Sequence, residues 1–319
     1  MPDLEPDNGD ARAVEIDARD SWVSVHAFYD DHLDLLLTGV VAPLIDELAA
    51  AGLADESVFL RHWGGGQHLR LRVRPAPGAE PAEVSRLIEL RFRDYLSRHP
   101  APERISPPEY AHSAPARPNN SIAFIAYRPE HDRYGLGPSL AAVERHFVES
   151  SRIALRIVTG KVPPDHRAAV AIALILIAWF TGEPDPGRLA AWAVRPSTGA
   201  APLPAPDPAN LGQAVELARH ARQLARNARD LAGPGTLVEW ARSLARLRAE
   251  LAMQVAAGVF AGSAPGRDGG LRTADDGIRS VLDLCAHLVC NRLGLPPVAE
   301  AALRDLAAEA VRSLTEQQR

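Results

Sequence analysis

The feature that most constrains the fold is a stretch of alternating apolar and charged residues, FLRHWGGGQHLRLRVRP, which runs from Phe59 to Pro75. Such period-two alternation predicts a half-buried strand. One face of this strand carries Leu69, Leu71 and Val73, and the other carries His68, Arg70, Arg72 and Arg74. A second strand is predicted over residues 57–63, and the three glycines at 64–66 join the two strands as a hairpin. We therefore expect an antiparallel sheet in this part of the chain.

The rest of the N-terminal part adds strands and crossing helices to the hairpin. Strands are predicted over Trp22–Tyr29 and Ser121–Tyr127, and helices over Asp31–Ala51 and Pro81–Arg98. Residues 1–20 are acidic and lack an apolar core, so we expect them to be disordered and not to form a signal peptide.

After Pro138, helical spacing replaces alternation. Helices are predicted over Ser139–Thr159, Asp165–Phe180, residues 211–261 (one helix, or two broken near Gly233), Asp275–Leu293 and Pro297–Leu314. A proline-rich connector at 182–209 and a flexible loop at 262–270 separate some of them. Together, these strands and helices predict an α+β fold, in which an N-terminal antiparallel sheet with crossing helices is packed on a helical C-terminal half. We expect a single domain over residues 21–315, with a strand-rich half at 21–137 and a helical half at 138–315.

Composition argues against several classes of function. The chain has 319 residues and a net charge of -5, which disfavours a general polyanion binder. Lys161 is the only lysine, so the chain has no Gly-Lys-Ser/Thr phosphate loop. No Cys/His spacing is typical of zinc, and the longest apolar run, Ala168–Phe180, is too short to span a bilayer. We expect a cytoplasmic protein without a membrane span or a metal site.

The arginine face of Arg70, Arg72 and Arg74 is the first candidate site. Guanidinium groups grip carboxylates or phosphates with two hydrogen bonds, and like charges on one strand face repel unless an anion lies opposite. A solvated face on an outer sheet is the alternative reading.

The segment YRPEHDRYG, Tyr127 to Gly135, is the second candidate. It follows a strand end, where functional groups are common, and it carries Glu130 and Arg133. The alternative is a polar turn in which these two residues pair with each other at i, i+3.

The third candidate is the helix SVLDLCAHLVCNRLG, in which Ser280, Asp283, His287 and Asn291 form a polar stripe on a mostly apolar helix. His287 is either a general acid or base, or a core histidine bonded to Asp283 or Asn291.

The three candidates, taken in order, resemble the C-terminal domain of lantibiotic dehydratases and the stand-alone thiopeptide-type biosynthesis proteins. The resemblance rests on VFLRHW followed by HLRLRV, on YRPEHDRYG followed by ERHFVESSRIAL, and on HLVCNRLG. It extends from about Trp22 to Leu314, although residues 182–270 match only in helical character.

This resemblance implies glutamate elimination: a separate protein uses glutamyl-tRNA to glutamylate Ser or Thr in a precursor peptide, and this domain removes glutamate to leave dehydroalanine or dehydrobutyrine. The implied catalytic residues are Arg72, Glu130, Arg133 and His287. His68, Arg70, Arg74 and Asn291 are expected to bind substrate. No cofactor and no direct nucleic-acid contact are expected, and the base is left open. We also expect Arg72, Arg133 and His287 to converge on one cleft.

Two alternatives remain. One is a cyclase of the same superfamily, which joins two dehydroalanines into the pyridine core of thiopeptides; it would need the glutamate-gripping residues less. The other is a non-catalytic protein that holds a leader peptide by edge-strand addition.

Overall fold

The computed structural model describes residues 22–103, 117–160, 162–193, 207–260 and 273–317. The chain divides into two compact units. The first comprises Met1–Arg128 together with Val158–Gly160, and the second comprises Pro129–Ile157 together with Lys161–Arg319. The predicted disorder of residues 1–20 and the predicted loop at 262–270 lie outside the described residues.

The first unit is built on a four-stranded antiparallel sheet with the order β2-β3-β1-β4. Its strands are β1 (Val23–Phe28), β2 (Ala54–His62), β3 (His68–Pro75) and β4 (Ser121–Phe124). β3 pairs with β2 across the glycine turn and with β1 on its other side, where Ser24 faces Arg72 and His26 faces Arg70. The predicted hairpin and the antiparallel sheet are confirmed.

The helices of this unit are α1 (Leu33–Leu36), α2 (Ala42–Ala50) and α3 (Pro81–Arg98), with one π-helical turn, Leu37–Val41, between α1 and α2. α3 begins at a proline, whose missing N–H costs nothing in a first turn. It buries Val84, Ile88, Phe92 and Leu96, the four-residue spacing of one helix face. On β3, Leu69, Leu71 and Val73 are almost wholly buried. The alternation in the sequence therefore does separate a buried face from a polar one.

The second unit is helical. Its elements are α4 (His131–Tyr134), α5 (Pro138–Thr159), α6 (Pro164–Gly182), α7 (Pro186–Ala193), α8 (Pro208–Asn227), α9 (Thr236–Ala256), α10 (Ala274–Leu293) and α11 (Pro297–Glu316). The segment from 211 to 261 is thus two helices, and the break falls at the glycine and proline residues of 233–235, as the sequence indicated.

α6 lies at the centre of the second unit. Residues 171–181 are buried without exception, and the helix packs against α8, α9, α10 and α11. Because a central helix is covered on all sides, it is apolar all round rather than amphipathic. The indole of Trp240 on α9 donates to the carbonyl of Leu174, which fixes one of these contacts at 3.0 Å.

Two sequence-based predictions need correction. The strand predicted over Ser121–Tyr127 ends at Phe124, and one further hydrogen bond, from the N–H of Ile125 to the carbonyl of Ser24, follows it at 3.1 Å. The connector at 182–209 was predicted without regular structure, yet it contains α7, whose Leu189 is fully buried. A short helix with one or two anchoring residues leaves too weak a periodic signal to be seen in the sequence.

No single helix in the described ranges is long and apolar enough to cross a membrane. One bent pair, His166–Gly182 with Pro186–Ala193, meets the length and composition criteria together, with a bend of 114°.

Candidate functional site

The arginine face of β3 continues onto its two neighbouring strands. The antiparallel register places Glu56, Val58, Leu60 and His62 of β2, and Ser24, His26 and Phe28 of β1, beside it. Three imidazoles cluster there. The ring centroid of His68 lies 5.0 Å from that of His26 and 5.0 Å from that of His62.

The hydrogen bonds of His68 define its tautomer. Its Nδ1 lies 2.8 Å from the carbonyl oxygen of Gly66, and its Nε2 accepts from Nε of Arg70 at 3.1 Å. Since a guanidinium only donates, Nδ1 must carry the proton and the ring is neutral. Burial lowers the pKa of His68 to about 4; the Gly66 hydrogen bond opposes this shift and Arg70 adds to it.

The other two imidazoles are also neutral at pH 7. Burial, followed by the charge of Arg70, lowers the pKa of His26 and of His62 to about 3. The positive charge of this face therefore resides on the guanidinium groups alone. Among the described residues, no three His, Cys, Asp or Glu side chains are placed to hold a metal ion.

Aromatic rings and one carboxylate hold the remaining arginines. The guanidinium carbon of Arg72 lies 3.9 Å from the ring centroid of Tyr127, and that of Arg74 lies 4.3 Å from the ring centroid of Trp22. Arg74 also forms an ion pair with Glu56 at 2.7 Å. Cation–π contacts and neutral imidazoles thus relieve the repulsion along the strand, and the anion opposite Arg74 comes from the protein itself.

The YRPEHDRYG segment forms the single turn α4. Arg133 Nη1 lies 2.9 Å from Glu130 Oε2, and about half of each side chain is exposed. Gly135 follows with a φ of +76°, and a Cβ atom there would lie 3.0 Å from Phe260 and 3.1 Å from Ser139. The glycine is therefore required both by backbone conformation and by space. The i, i+3 pairing that the sequence left as an alternative is present.

The partner of His287 is a residue that the sequence did not predict. Its Nδ1 lies 2.8 Å from Oε2 of Glu300, on the next helix, α11. The side chain of His287 is 50% exposed and that of Glu300 is 8% exposed. The alternative in which His287 is a core histidine bonded to Asp283 or Asn291 does not hold, because its hydrogen-bond partner lies on another helix and half of its side chain is exposed.

Glu300 is in turn held by a buried ionic chain. Its Oε1 accepts from Nε of Arg304 at 2.7 Å, and Arg304 Nη1 donates to Asp283 at 2.6 Å. Asp283 also accepts from the indole of Trp179 at 2.8 Å. Burial by itself would lower the pKa of Arg304, but Asp283 and Glu300 raise it above its ordinary value. The guanidinium thus stays charged and fixes both carboxylates.

The ionic chain of Glu300, Arg304 and Asp283 holds the imidazole of His287 in one orientation. In the tautomer whose Nδ1–H donates to Glu300, Nε2 of His287 keeps a lone pair that can accept a proton. A histidine whose second nitrogen is held by a carboxylate is the usual arrangement of a general base. The i, i+4 spacing of Glu300 and Arg304 was a visible signal, but nothing in the sequence connected it to His287.

The predicted site residues fall into two groups. His68, Arg70, Arg72 and Arg74 lie together in the first unit. Glu130, Arg133, His287 and Asn291 lie in the second unit, where Glu130 contacts Arg133 and Asn291 sits one turn after His287 on α10. That Arg72, Arg133 and His287 act at one cleft stays a prediction.

A four-stranded antiparallel sheet at the N-terminus, followed by helices, places the chain in the α+β class. The chain belongs to the family described as "Lantibiotic biosynthesis dehydratase C-term", whose model matches residues 22–311. The resemblance inferred from the three motifs is thereby confirmed. Among curated proteins, no significant sequence match is found.

Solved structures that share the fold include three proteins. The pyridine synthase TbtD from thiomuracin biosynthesis superposes with a TM-score of 0.64 at 21% identity, covering 92% of this chain and 98% of its own. The tRNA dependent lantibiotic dehydratase MibB from Microbispora sp. 107891 gives 0.61 at 19% identity, covering 96% of this chain and 29% of its own. TsrL gives 0.60 at 18% identity, covering 92% and 95%. Identities this low establish the fold alone.

Proposed function

We propose that the protein catalyses glutamate elimination from glutamylated Ser or Thr residues of a ribosomally made precursor peptide. The observation that carries the proposal is the His287–Glu300 pair, a half-exposed imidazole whose inner nitrogen is held by a buried carboxylate. Family membership supports the class of reaction.

In this reaction a base removes the α-proton of the modified residue. The electron pair of the Cα–H bond forms the Cα=Cβ double bond, and the Cβ–O bond breaks so that glutamate leaves as a carboxylate. The product is dehydroalanine or dehydrobutyrine. We assign the proton transfer to Nε2 of His287, with Glu300 as its positioning residue.

The arginines are proposed to bind the anionic parts of the reacting group. Arg72 and Arg70 would hold the carboxylates of glutamate and stabilise the negative charge that develops on the leaving oxygen. Arg133, oriented by Glu130, would make a further contact, and His68, Arg74 and Asn291 would line the site. The neutral imidazoles beside the arginines support this role, since they add hydrogen-bonding groups without adding charge.

A precursor peptide is the proposed partner, and a separate protein that uses glutamyl-tRNA would supply the glutamylated substrate. The reaction needs no electron acceptor, because β-elimination leaves the total oxidation state unchanged.

A second candidate, pyridine synthesis from two dehydroalanines, is favoured by one observation: the similarity to TbtD extends over 98% of that protein. We rank it second because cyclisation has no glutamate to bind, whereas this chain carries the arginine face.

The experiment compares the wild type with Arg72→Ala and His287→Ala on two peptides, one glutamylated and one with two dehydroalanines, by mass spectrometry. We expect the loss of glutamate from the glutamylated peptide to slow by roughly 10²–10⁴-fold in His287→Ala. Wild-type speed in this variant would contradict the assignment. Conversion of only the bis-dehydroalanine peptide would establish the second candidate instead.

A further inference from the structure

A basic groove lies between α8 and the C-terminal end of α11, within the second unit. α11 also carries Glu300, but near its N-terminal end. The groove has a volume of about 520 Å³. Its polar lining consists of three guanidinium groups and three amides, from Arg219, Arg222, Arg226, Gln223, Asn227 and Gln317. A volume of this size is typical of sites that hold a ligand or a short peptide segment.

The charge of the groove is only partly neutralised by the protein. Arg219 pairs with Glu216 and donates to Gln317. Neither Arg222 nor Arg226 has a salt-bridge partner among the residues that the structure describes, and Nε of Arg222 is buried there without a hydrogen bond. Burial, together with the neighbouring Arg226, lowers the pKa of Arg222, and Asp185 opposes the shift. Positive charge is thus concentrated here, since none of the described residues that line the groove carries a carboxylate.

A second groove of about the same volume offers an internal comparison. It lies between α5 and α9 and is also rich in arginine. There Arg156 pairs with Glu239, and Arg246 with Glu149 at 2.9 Å, so its lining supplies its own anions. Arginine content is therefore shared by the two grooves. What distinguishes the groove between α8 and α11 is that its described lining residues include no carboxylate.

We propose that this groove binds an acidic stretch of the precursor peptide at a distance from the reacting residue. Arginines at i, i+3 and i+7 on one helix face lie one and two turns apart, a spacing that carboxylates on alternate residues of an extended peptide, about 7 Å apart, can match. The amides of Gln223, Asn227 and Gln317 favour a peptide over a nucleic acid, since amides both donate to and accept from a peptide backbone, whereas phosphates only accept. The overall charge of -5 also opposes nucleic acid. The proposal rests on the proposed function only for the origin of the peptide.

Binding is measured without turnover, so that its failure is separate from failure of the proposed function. The probe is a fluorescein-labelled peptide of about 15 residues with Glu at every second position, followed by anisotropy, and its matched control has Gln in place of Glu. We expect the Glu peptide to bind the wild type, and added salt to weaken it, because the contacts are ionic. The double variant Arg222→Glu/Arg226→Glu should weaken binding by about tenfold or more, the effect of losing one or two charge-assisted hydrogen bonds.

Arg242→Glu is the control for charge, since it reverses an arginine in the other groove. It should change the affinity by less than about twofold. A second variant, Arg222→Gln/Arg226→Gln, checks that the effect does not depend on introduced acidic residues, and circular dichroism confirms that each variant is folded. Equal binding of the Glu and Gln peptides, or equal losses in the groove variants and in Arg242→Glu, would overturn the proposal. So would tighter binding of a single-stranded RNA of equal charge, which would assign the groove to nucleic acid.

Discussion

At the scale of single residues, the environment of His287 decides what its imidazole can do. The ring is half exposed, but one nitrogen is bound to a carboxylate that is almost wholly buried. That carboxylate is itself fixed by Arg304. A residue supported in this way has a defined orientation, which a freely rotating surface histidine lacks.

Glu300→Gln tests this positioning role. The amide keeps the size of the side chain but removes the negative charge that stabilises the imidazolium formed when His287 accepts a proton. We expect kcat for glutamate elimination to fall by about tenfold or more with little change in KM, because the loss is confined to the transition state. Steady-state kinetics on the glutamylated peptide would measure it. Glu309→Gln on the same helix, whose partner is exposed Arg312, is the matched control and should keep wild-type kcat.

Gly39 is a residue for which space, rather than backbone conformation, demands glycine. It lies in the π-helical turn, and a Cβ atom there would enter the ring of Tyr95, with Cζ at 3.0 Å and Oη at 3.1 Å. Tyr95 cannot move away easily because its ring packs against those of Tyr29 and His99.

Gly39→Ala should therefore destabilise the protein by about 1–3 kcal/mol, the usual cost of overpacking. Chemical denaturation monitored by circular dichroism would measure it. Gly212→Ala is the control: it lies within α8 with nothing near its Cβ position, so it should be neutral or stabilise by roughly 0.5–1 kcal/mol. A loss of stability at Gly212 equal to that at Gly39 would show that steric contact with Tyr95 is not the cause.

At the scale of elements, the sheet combines cations with neutral imidazoles on one face. Three strands contribute His26, His62 and His68, whose folded pKa values lie at about 3, 3 and 4. These values are below the ordinary 6.5, so below that pH the unfolded chain takes up protons that the folded sheet does not. The contribution of these histidines to the free energy of unfolding is therefore fully present above about pH 6.5. It is lost as the pH falls toward their pKa values in the folded protein.

His26→Gln should weaken this acid sensitivity. Between pH 6.5 and about 5, the wild type should lose on the order of 1–2 kcal/mol more than the variant, since a shifted histidine contributes about 1.4 kcal/mol per pH unit. The free energy of unfolding across this range is the measurement. His220→Gln, at an exposed position, is the control and should leave the slope of unfolding free energy against pH as in the wild type. An unchanged slope in His26→Gln would contradict the prediction.

At the scale of the whole molecule, the proposed reaction requires groups from both compact units to act on one substrate. If Arg72 and His287 serve a single elimination step, their effects on rate will not add. Arg72→Ala/His287→Ala should then be about as slow as the slower single variant, because residues that act as a unit show strong non-additivity. Single-turnover rates of the wild type, the two single variants and the double variant would measure this in a double-mutant cycle. Fully additive losses would indicate that the two residues serve separate steps.

Most of the fold could be predicted from local patterns in the sequence. Alternation at 68–75, glycines at 64–66 and 233–235, and helical spacing after Pro138 act over a few residues, so they predict strands, turns and helices without knowledge of distant neighbours. The same locality revealed the Glu130–Arg133 pair, whose members are three residues apart. Local patterns did not predict α7, because one buried leucine in a short helix gives no clear helical periodicity.

Contacts between side chains that are distant in the sequence could not be predicted, because they depend on how the elements pack. Glu300 reaches His287, Tyr127 covers Arg72, and Glu56 neutralises Arg74, although each of these pairs joins different elements of the chain. Such contacts depend on strand register and on the packing of α10 against its neighbours, and a one-residue change in register would exchange the two faces of β3. Residue types therefore identified the candidates, whereas their partners and charge states followed from packing.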